Sequence, residues 1–171
     1  MNKYGTAGFF VLSLIIILAQ VFIFKDLILF GSAFCFFYVL IFFLLPIDTN
    51  PLMQIFFGFV VGLLIDTFYN TQGVHASAAT FLMFVRPFWL NILSPGSGYG
   101  AADRINIRTQ GFQWFLTFTY PLILIHCILL FFVEAYSFTN FWTTLAKGFY
   151  SSLFTLIVVL IIHYLFINKE K

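Results

Sequence analysis

The chain has 171 residues, a formal net charge of +2, and a composition that is 62% hydrophobic and 22% aromatic with only 8% charged. Soluble domains run to about half apolar and about a quarter charged residues, so this few ionisable groups cannot cover a water-facing surface around 27 phenylalanines, and lipid must be the solvent for most side chains. The small positive excess gives no basis for nucleic-acid binding, and Cys35 and Cys127, each alone inside an apolar run, read as small core residues rather than a disulfide or metal pair.

Crossing a hydrocarbon core takes about 20 helical residues. Six stretches of that kind follow one another: Thr6–Phe24, Leu27–Leu45, Leu52–Tyr69, Ala76–Leu93, Phe112–Val133 and Leu145–Ile167. The expected fold is an all-α membrane protein, one polytopic domain over residues 1–171 built as a bundle of six transmembrane helices. The first stretch is longer than a secretory h-region and lacks an A-x-A-like site, so it reads as an uncleaved helix. Cytoplasmic loops carry the excess of Lys and Arg. Placing the N- and C-termini in the cytoplasm puts Lys3, Arg104, Arg108, Lys169 and Lys171 inside and leaves Lys25 and Lys147 outside, with Arg86 close enough to the inner face to snorkel towards it.

The longest hydrophilic stretch, Ser94 to Gly111, opens on a glycine cluster. Phosphate-cradling glycine motifs need a preceding strand or a Gly-Lys-Ser/Thr, and neither is present, so the stretch reads as a connector. Arg104 and Arg108 stand at i,i+4 spacing within it, available to lipid headgroups or a cytoplasmic partner.

Ionisable groups inside apolar spans are costly and mark function or specific packing. Asp66 is the sharpest case, because Gly58, Gly62, Asp66 and Asn70 follow at i,i+4 steps and share one stripe of the third helix. Gly58-x-x-x-Gly62 invites close approach of another helix. Folding the third and fourth helices about the turn at Gly73 brings His75 within reach of Asp66 and leaves Arg86 out of reach, so Asp66 is expected to be held by His75 and the turn. Arg86 beside Pro87 suits binding to exposed backbone oxygens or to an anionic headgroup. His126 lies level with Ser151 and Ser152 and is expected to bond to one of those hydroxyls, while His163 faces the inner interface. No nucleophile with its base, carboxylate dyad or metal-ligand pairing is legible, so the chain reads as a non-enzyme with no cofactor and no metal.

The stretch Gly58-Phe-Val-Val-Gly62-Leu-Leu-Ile-Asp66-Thr-Phe-Tyr-Asn-Thr-Gln-Gly73-Val-His75-Ala resembles MreD, the small membrane subunit of the bacterial rod-shape machinery. Gly62, Leu63, Leu64, Asp66 and Gly73 match that family's Gly-Leu-Leu-Leu-Asp run and turn glycine, and Gln72 stands where a proline is common. The resemblance implies a non-catalytic scaffold or adaptor in the bacterial cytoplasmic (inner) membrane. Its partners would be MreC, MreB filaments and a RodA–penicillin-binding-protein pair, within the elongasome that directs peptidoglycan synthesis and cell shape. Gly58, Gly62, Asp66, Gly73, His75 and Arg86 are the candidate helix-packing or partner-binding residues. Two other readings stay open: a substrate-binding subunit of a vitamin transporter, against which the first helix shows no Ala-x-x-x-Ala, and a lipid-binding membrane protein. Homo-oligomerisation is open as well.

Overall fold

The computed structural model describes residues 6–94, 98, 99, 105 and 107–167. It is mainly helical. Helix α1 (Thr6–Ala19) continues through a π-helical turn (Gln20–Phe24); α3 (Pro51–Tyr69), α4 (Val74–Ile92), α6 (Phe112–Ala135) and α7 (Phe141–Ile162) are the other long helices, α7 ending in a π-helical turn (His163–Ile167). Between α1 and α3 lie β1 (Ile28–Leu29), β2 (Ala33–Phe34), a 3-10 turn (Phe37–Val39) and the one-turn helix α2 (Leu40–Phe43); α5 (Ile107–Gln110) precedes α6. Among the described residues, four helices are long and apolar enough to cross a membrane: Ala7–Phe24, Pro51–Tyr69, Phe112–Ala135 and Phe141–Leu165. Helix α4 is also 19 residues long but carries His75, Arg86 and Pro87, and it is packed between α3 and α6.

The helix expected over Leu27–Leu45 does not form. Phe30 and Gly31 both take positive φ, +52° and +69°, and turn the chain so that β1 and β2 pair antiparallel, Ile28 opposite Phe34 and Leu29 opposite Ala33. The chain then runs without regular structure through Cys35 and Phe36 before winding into the 3-10 turn and α2. A continuous apolar run reads alike as a buried helix or a buried strand, and this one is rich in aromatic residues that suit extended backbone. Burial decides between them. From Cys35 to Phe43 no residue exceeds 4% exposure, so this stretch is the core around which the long helices pack.

Contacts between elements fix their relative levels. Lys25 Nζ donates to Phe68 O at 2.8 Å and lies over the Tyr69 ring, which places the end of α1 beside the end of α3. At the other end Arg86 reaches Leu45 O and Gln54 Oε1, so the broken segment travels from the level of Tyr69 to that of Gln54. It therefore traverses most of the length of α3 without forming one continuous helix. The tight approach of Gly148 to Ile128, whose Cα would lie 3.1 Å from a Cβ at the glycine, registers α7 on α6. Beyond that pair the α6–α7 hairpin runs on for about another 10 Å to its turn, at about 1.5 Å per residue. There Tyr136, Phe138 and Trp142 stand exposed.

Helices α3 and α4 touch through glycine. A Cβ at Gly62 would sit 2.7 Å from both Ala76 N and His75 O, and one at Gly58 would meet Met83 Cγ at 2.7 Å and Ala79 O at 2.9 Å. These are main-chain obstacles at Gly62, not flexible side-chain ends. Gly73, the N-cap of α4 at φ +84°, has open space around it and is constrained only by its backbone angle. Gly62→Ala is expected to lower stability by about 1–3 kcal/mol through overpacking. Gly73→Ala should lose only about 1 kcal/mol from the left-handed backbone. Thermal melting of the two variants in one detergent measures the difference, and equal losses would show that α3 and α4 are not in contact at Gly62.

Candidate functional site

The buried polar side chains converge on the broken segment and on the α3–α4 turn. Gln20, at the start of the π-helical turn of α1, is fully buried; its Nε2 donates to Cys35 O at 3.0 Å and to the Tyr69 hydroxyl at 2.6 Å, and its Oε1 accepts from Tyr38 N at 3.1 Å. One amide thus does for the extended chain what a neighbouring strand does in a sheet. From α7, Ser151 Oγ accepts from Phe34 N at 2.9 Å and Thr155 Oγ1 from Phe36 N at 3.0 Å. The spacing is geometric: two residues of strand advance about 6.6 Å, and four residues of helix advance about 6 Å. A strand laid along α7 therefore meets a hydroxyl at each inward-turned amide.

Arg86 holds the far end of the segment. Its guanidinium is wholly buried, with Nη1 donating to Gln54 Oε1 at 2.7 Å and Nη2 to Leu45 O at 2.7 Å and Pro46 O at 3.3 Å. Gln54 in turn donates to Thr49 O at 2.6 Å, tying the loop after the segment to the first turn of α3. No carboxylate pairs with Arg86 among the described residues, and its Nε has no hydrogen-bond partner among them. A cation at the carbonyl end of a short helical stretch is favourable, and each charge-assisted bond contributes more than a neutral one. The expected snorkelling of Arg86 to the membrane surface is therefore wrong. It points inward, onto backbone oxygens as its neighbour Pro87 suggested, and these belong to the broken segment.

Asp66 caps α4. Its Oδ1 accepts from His75 N at 3.0 Å and from the Thr71 hydroxyl, and its Oδ2 accepts from Ala76 N at 2.9 Å. The first amides of a helix have no intrahelical partner and carry partial positive charge, which a carboxylate satisfies. The expected pairing of Asp66 with His75 holds for the backbone amide and not for the ring. The His75 ring lies instead against the Tyr38 hydroxyl, Nδ1 at 3.2 Å, and His126 Nε2 approaches the same hydroxyl at 2.9 Å. A hydroxyl has one proton, so it donates to one imidazole and accepts from the other. Tyr38 thereby pins the broken segment between α4 and α6.

The other expectations fall out as follows. Gly58 and Gly62 face α4 of the same chain, and Gly73 forms the turn. His126 bonds Tyr38 and not Ser151 or Ser152; Ser151 is engaged by Phe34 N, and Ser152 Oγ donates to Phe149 O. His163 is 1% exposed and packed on Phe115 at 4.5 Å between centroids, not at the interface. Both cysteines are free and buried. Arg104 lies outside the described residues; Arg108 lies in α5, but its side chain is outside them. Gln20, Tyr38, Gln54 and Thr155 were missed in the sequence, and Ser151 was named there only as a partner for His126. The signal was there in the form of uncharged polar residues inside apolar runs, but a reading centred on ionisable groups passes over them.

Compared with protein-family models, curated proteins and solved structures, the chain finds no match in any of the three.

Replacing Gln20 by leucine leaves Cys35 O and Tyr38 N without partners, and Arg86→Met does the same to Leu45 O and Gln54 Oε1. At about 1–3 kcal/mol for each orphaned buried group, either change should depress the melting temperature in detergent sharply. Gln113→Leu, at an exposed position of α6, should leave it nearly unchanged. Melting of all three variants at the parent temperature would show that the broken segment does not rely on these side chains.

Proposed function

We propose that this chain is a non-catalytic, MreD-like subunit of the bacterial rod-shape and cell-wall elongation complex, acting in the cytoplasmic membrane as a scaffold for an MreC-type partner. Through that partner it would reach MreB filaments and a RodA–penicillin-binding-protein pair. One observation carries the reading. The stretch that resembles MreD, Gly58 to Ala76, is the part of the chain where Gly62 and Asp66 lock two helices together, so the motif residues serve a rigid helical hairpin and not a reaction centre.

The distribution of polar groups supports the same reading. Gln20, Gln54, Asp66, Arg86, Ser151 and Thr155 are each committed to backbone or turn atoms of this chain, and the interior between them is filled by Tyr38, Phe42, Phe43, Phe115 and Phe118. A ligand carrier needs a vacated interior, whereas a scaffold needs a stiff one. On this proposal the chain crosses the membrane six times, the second time by the broken segment, with both termini in the cytoplasm and Lys25 and Lys147 on the outer side. The partner-facing surface is then the lipid-exposed outside of the bundle, since Gly58, Gly62 and Asp66 are turned inward.

Co-expression with the MreC-type subunit of the same cell and purification in mild detergent should yield a complex. Photo-crosslinkers at Phe22, Phe59, Phe84 and Ile157, exposed residues of four different elements, should map its contact to one face. Recovery of the folded chain without that subunit, and without a crosslink at any of the four positions, would refute the proposal.

A further inference from the structure

The hairpin β1–β2 does not lie flat on the bundle. Between it and α7 runs a groove of 390 Å³ lined by Leu29, Phe30, Ser32, Ala33, Tyr150, Leu153, Phe154 and Ile157, within the range of ligand-sized sites. The α7 residues of this wall share one face of the helix, with Lys147 on the same side one turn before Tyr150 and two turns before Phe154. Lys147 is exposed, and its ammonium has no hydrogen bond or ion pair among the described residues.

We infer that this groove is a binding site for one anionic glycerophospholipid, its acyl chain lying between the β-hairpin and α7 and its phosphate on Lys147.

Three observations carry it. The first is charge complementarity: the lining is apolar, and Lys147, just outside it, presents an exposed ammonium one turn before Tyr150 on the same side of α7. The second is length. From Lys147 to Ile157 is ten residues, about 15 Å of helix, which is about half the 30 Å hydrocarbon thickness and so the reach of one leaflet. Gln20 is close to the level of Ser151 through its bond to Cys35 O and that of Phe34 N to Ser151. Lys25, five residues further on, marks the same surface of the bilayer as Lys147, four residues before Ser151. The third is Phe30. It is 96% exposed at the hairpin tip with φ +52°, a backbone angle that a bulky aromatic adopts only under constraint, and no contact within the chain explains the choice of residue. As the outer wall of the groove it has a use, because it closes an acyl chain against Leu153 and Phe154.

The larger groove between α3 and α4, lined by Phe59, Leu63, Ala76, Thr80 and Phe84 among others, has no exposed lysine or arginine on either helix and serves as the control. The site rests on the hairpin and α7 alone, so it stands whether or not the chain binds an MreC-type partner.

The test is native mass spectrometry of the purified chain after exchange into phosphatidylglycerol or phosphatidylcholine of matched chain length. One phosphatidylglycerol should be retained per chain. Retention should weaken roughly fivefold in Lys147→Gln and disappear in Leu153→Trp, which fills the groove. Phe84→Trp, in the control groove, should retain it as the parent does, with thermal melting confirming that each variant is folded. Equal retention of the two lipids, or undiminished phosphatidylglycerol in folded Lys147→Gln, would overturn the site.

Discussion

Hydrocarbon offers no hydrogen bonds, so every backbone amide and carbonyl that crosses it must find a partner inside the protein. A helix solves this locally. The segment from Ala33 to Leu45 does not, because it is a strand at Ala33–Phe34 and irregular at Cys35 and Phe36 before it turns helical, and it meets the requirement with side chains borrowed from elsewhere. Gln20 from α1, Ser151 and Thr155 from α7 and Arg86 from α4 each bind main-chain atoms of this one stretch. Non-helical backbone is tolerated in hydrocarbon only when wrapped in protein, and this segment is wrapped: Tyr38 to Phe43 is almost without exposed surface.

The remainder of the architecture follows from protecting that stretch. Helices α3 and α4 close on each other through Gly58 and Gly62, which lets the main chains approach, and Asp66 finishes the turn by accepting from the first amides of α4. The position of α4 then sets both of its contacts to the core: His75 at its beginning meets the Tyr38 hydroxyl, and Arg86 eleven residues later meets Leu45 O. The least apolar of the long helices is thus the one whose two ionisable side chains, His75 and Arg86, both turn towards the broken segment. Its marginal hydropathy is a consequence of its role.

Much of the fold was legible because four long helices have the length and apolarity that span a bilayer, and the stripe Gly58–Gly62–Asp66 pointed at a protein-facing surface from spacing alone. The break at Phe30–Gly31 was not legible, since apolar content is the same for a helix and for a buried strand, and the choice is made by hydroxyls more than a hundred residues away at Ser151 and Thr155. Level matching along the α3–α4 hairpin found the right neighbours for Asp66 but could not distinguish the His75 ring from its amide. For Arg86, the idea of bare backbone oxygens was sound; their source was hidden because the sequence showed no break to expose them. His126 went to Tyr38 for the same reason, the hydroxyl being carried into the core by a segment expected to be an unbroken transmembrane helix.

The account stands on the conformation of residues 33–38. Solid-state NMR of the labelled chain in bilayers reads it directly through the Cα and Cβ chemical shifts of Ala33, Cys35, Phe36 and Tyr38. The structure requires extended values at Ala33 and non-helical values at Cys35 and Phe36, giving way to helical values from Leu40, with the amide of Phe36 protected from exchange by its bond to Thr155. An unbroken helical pattern from Leu27 to Leu45 would contradict it, and would leave Gln20, Ser151, Thr155 and Arg86 buried without the partners assigned to them here.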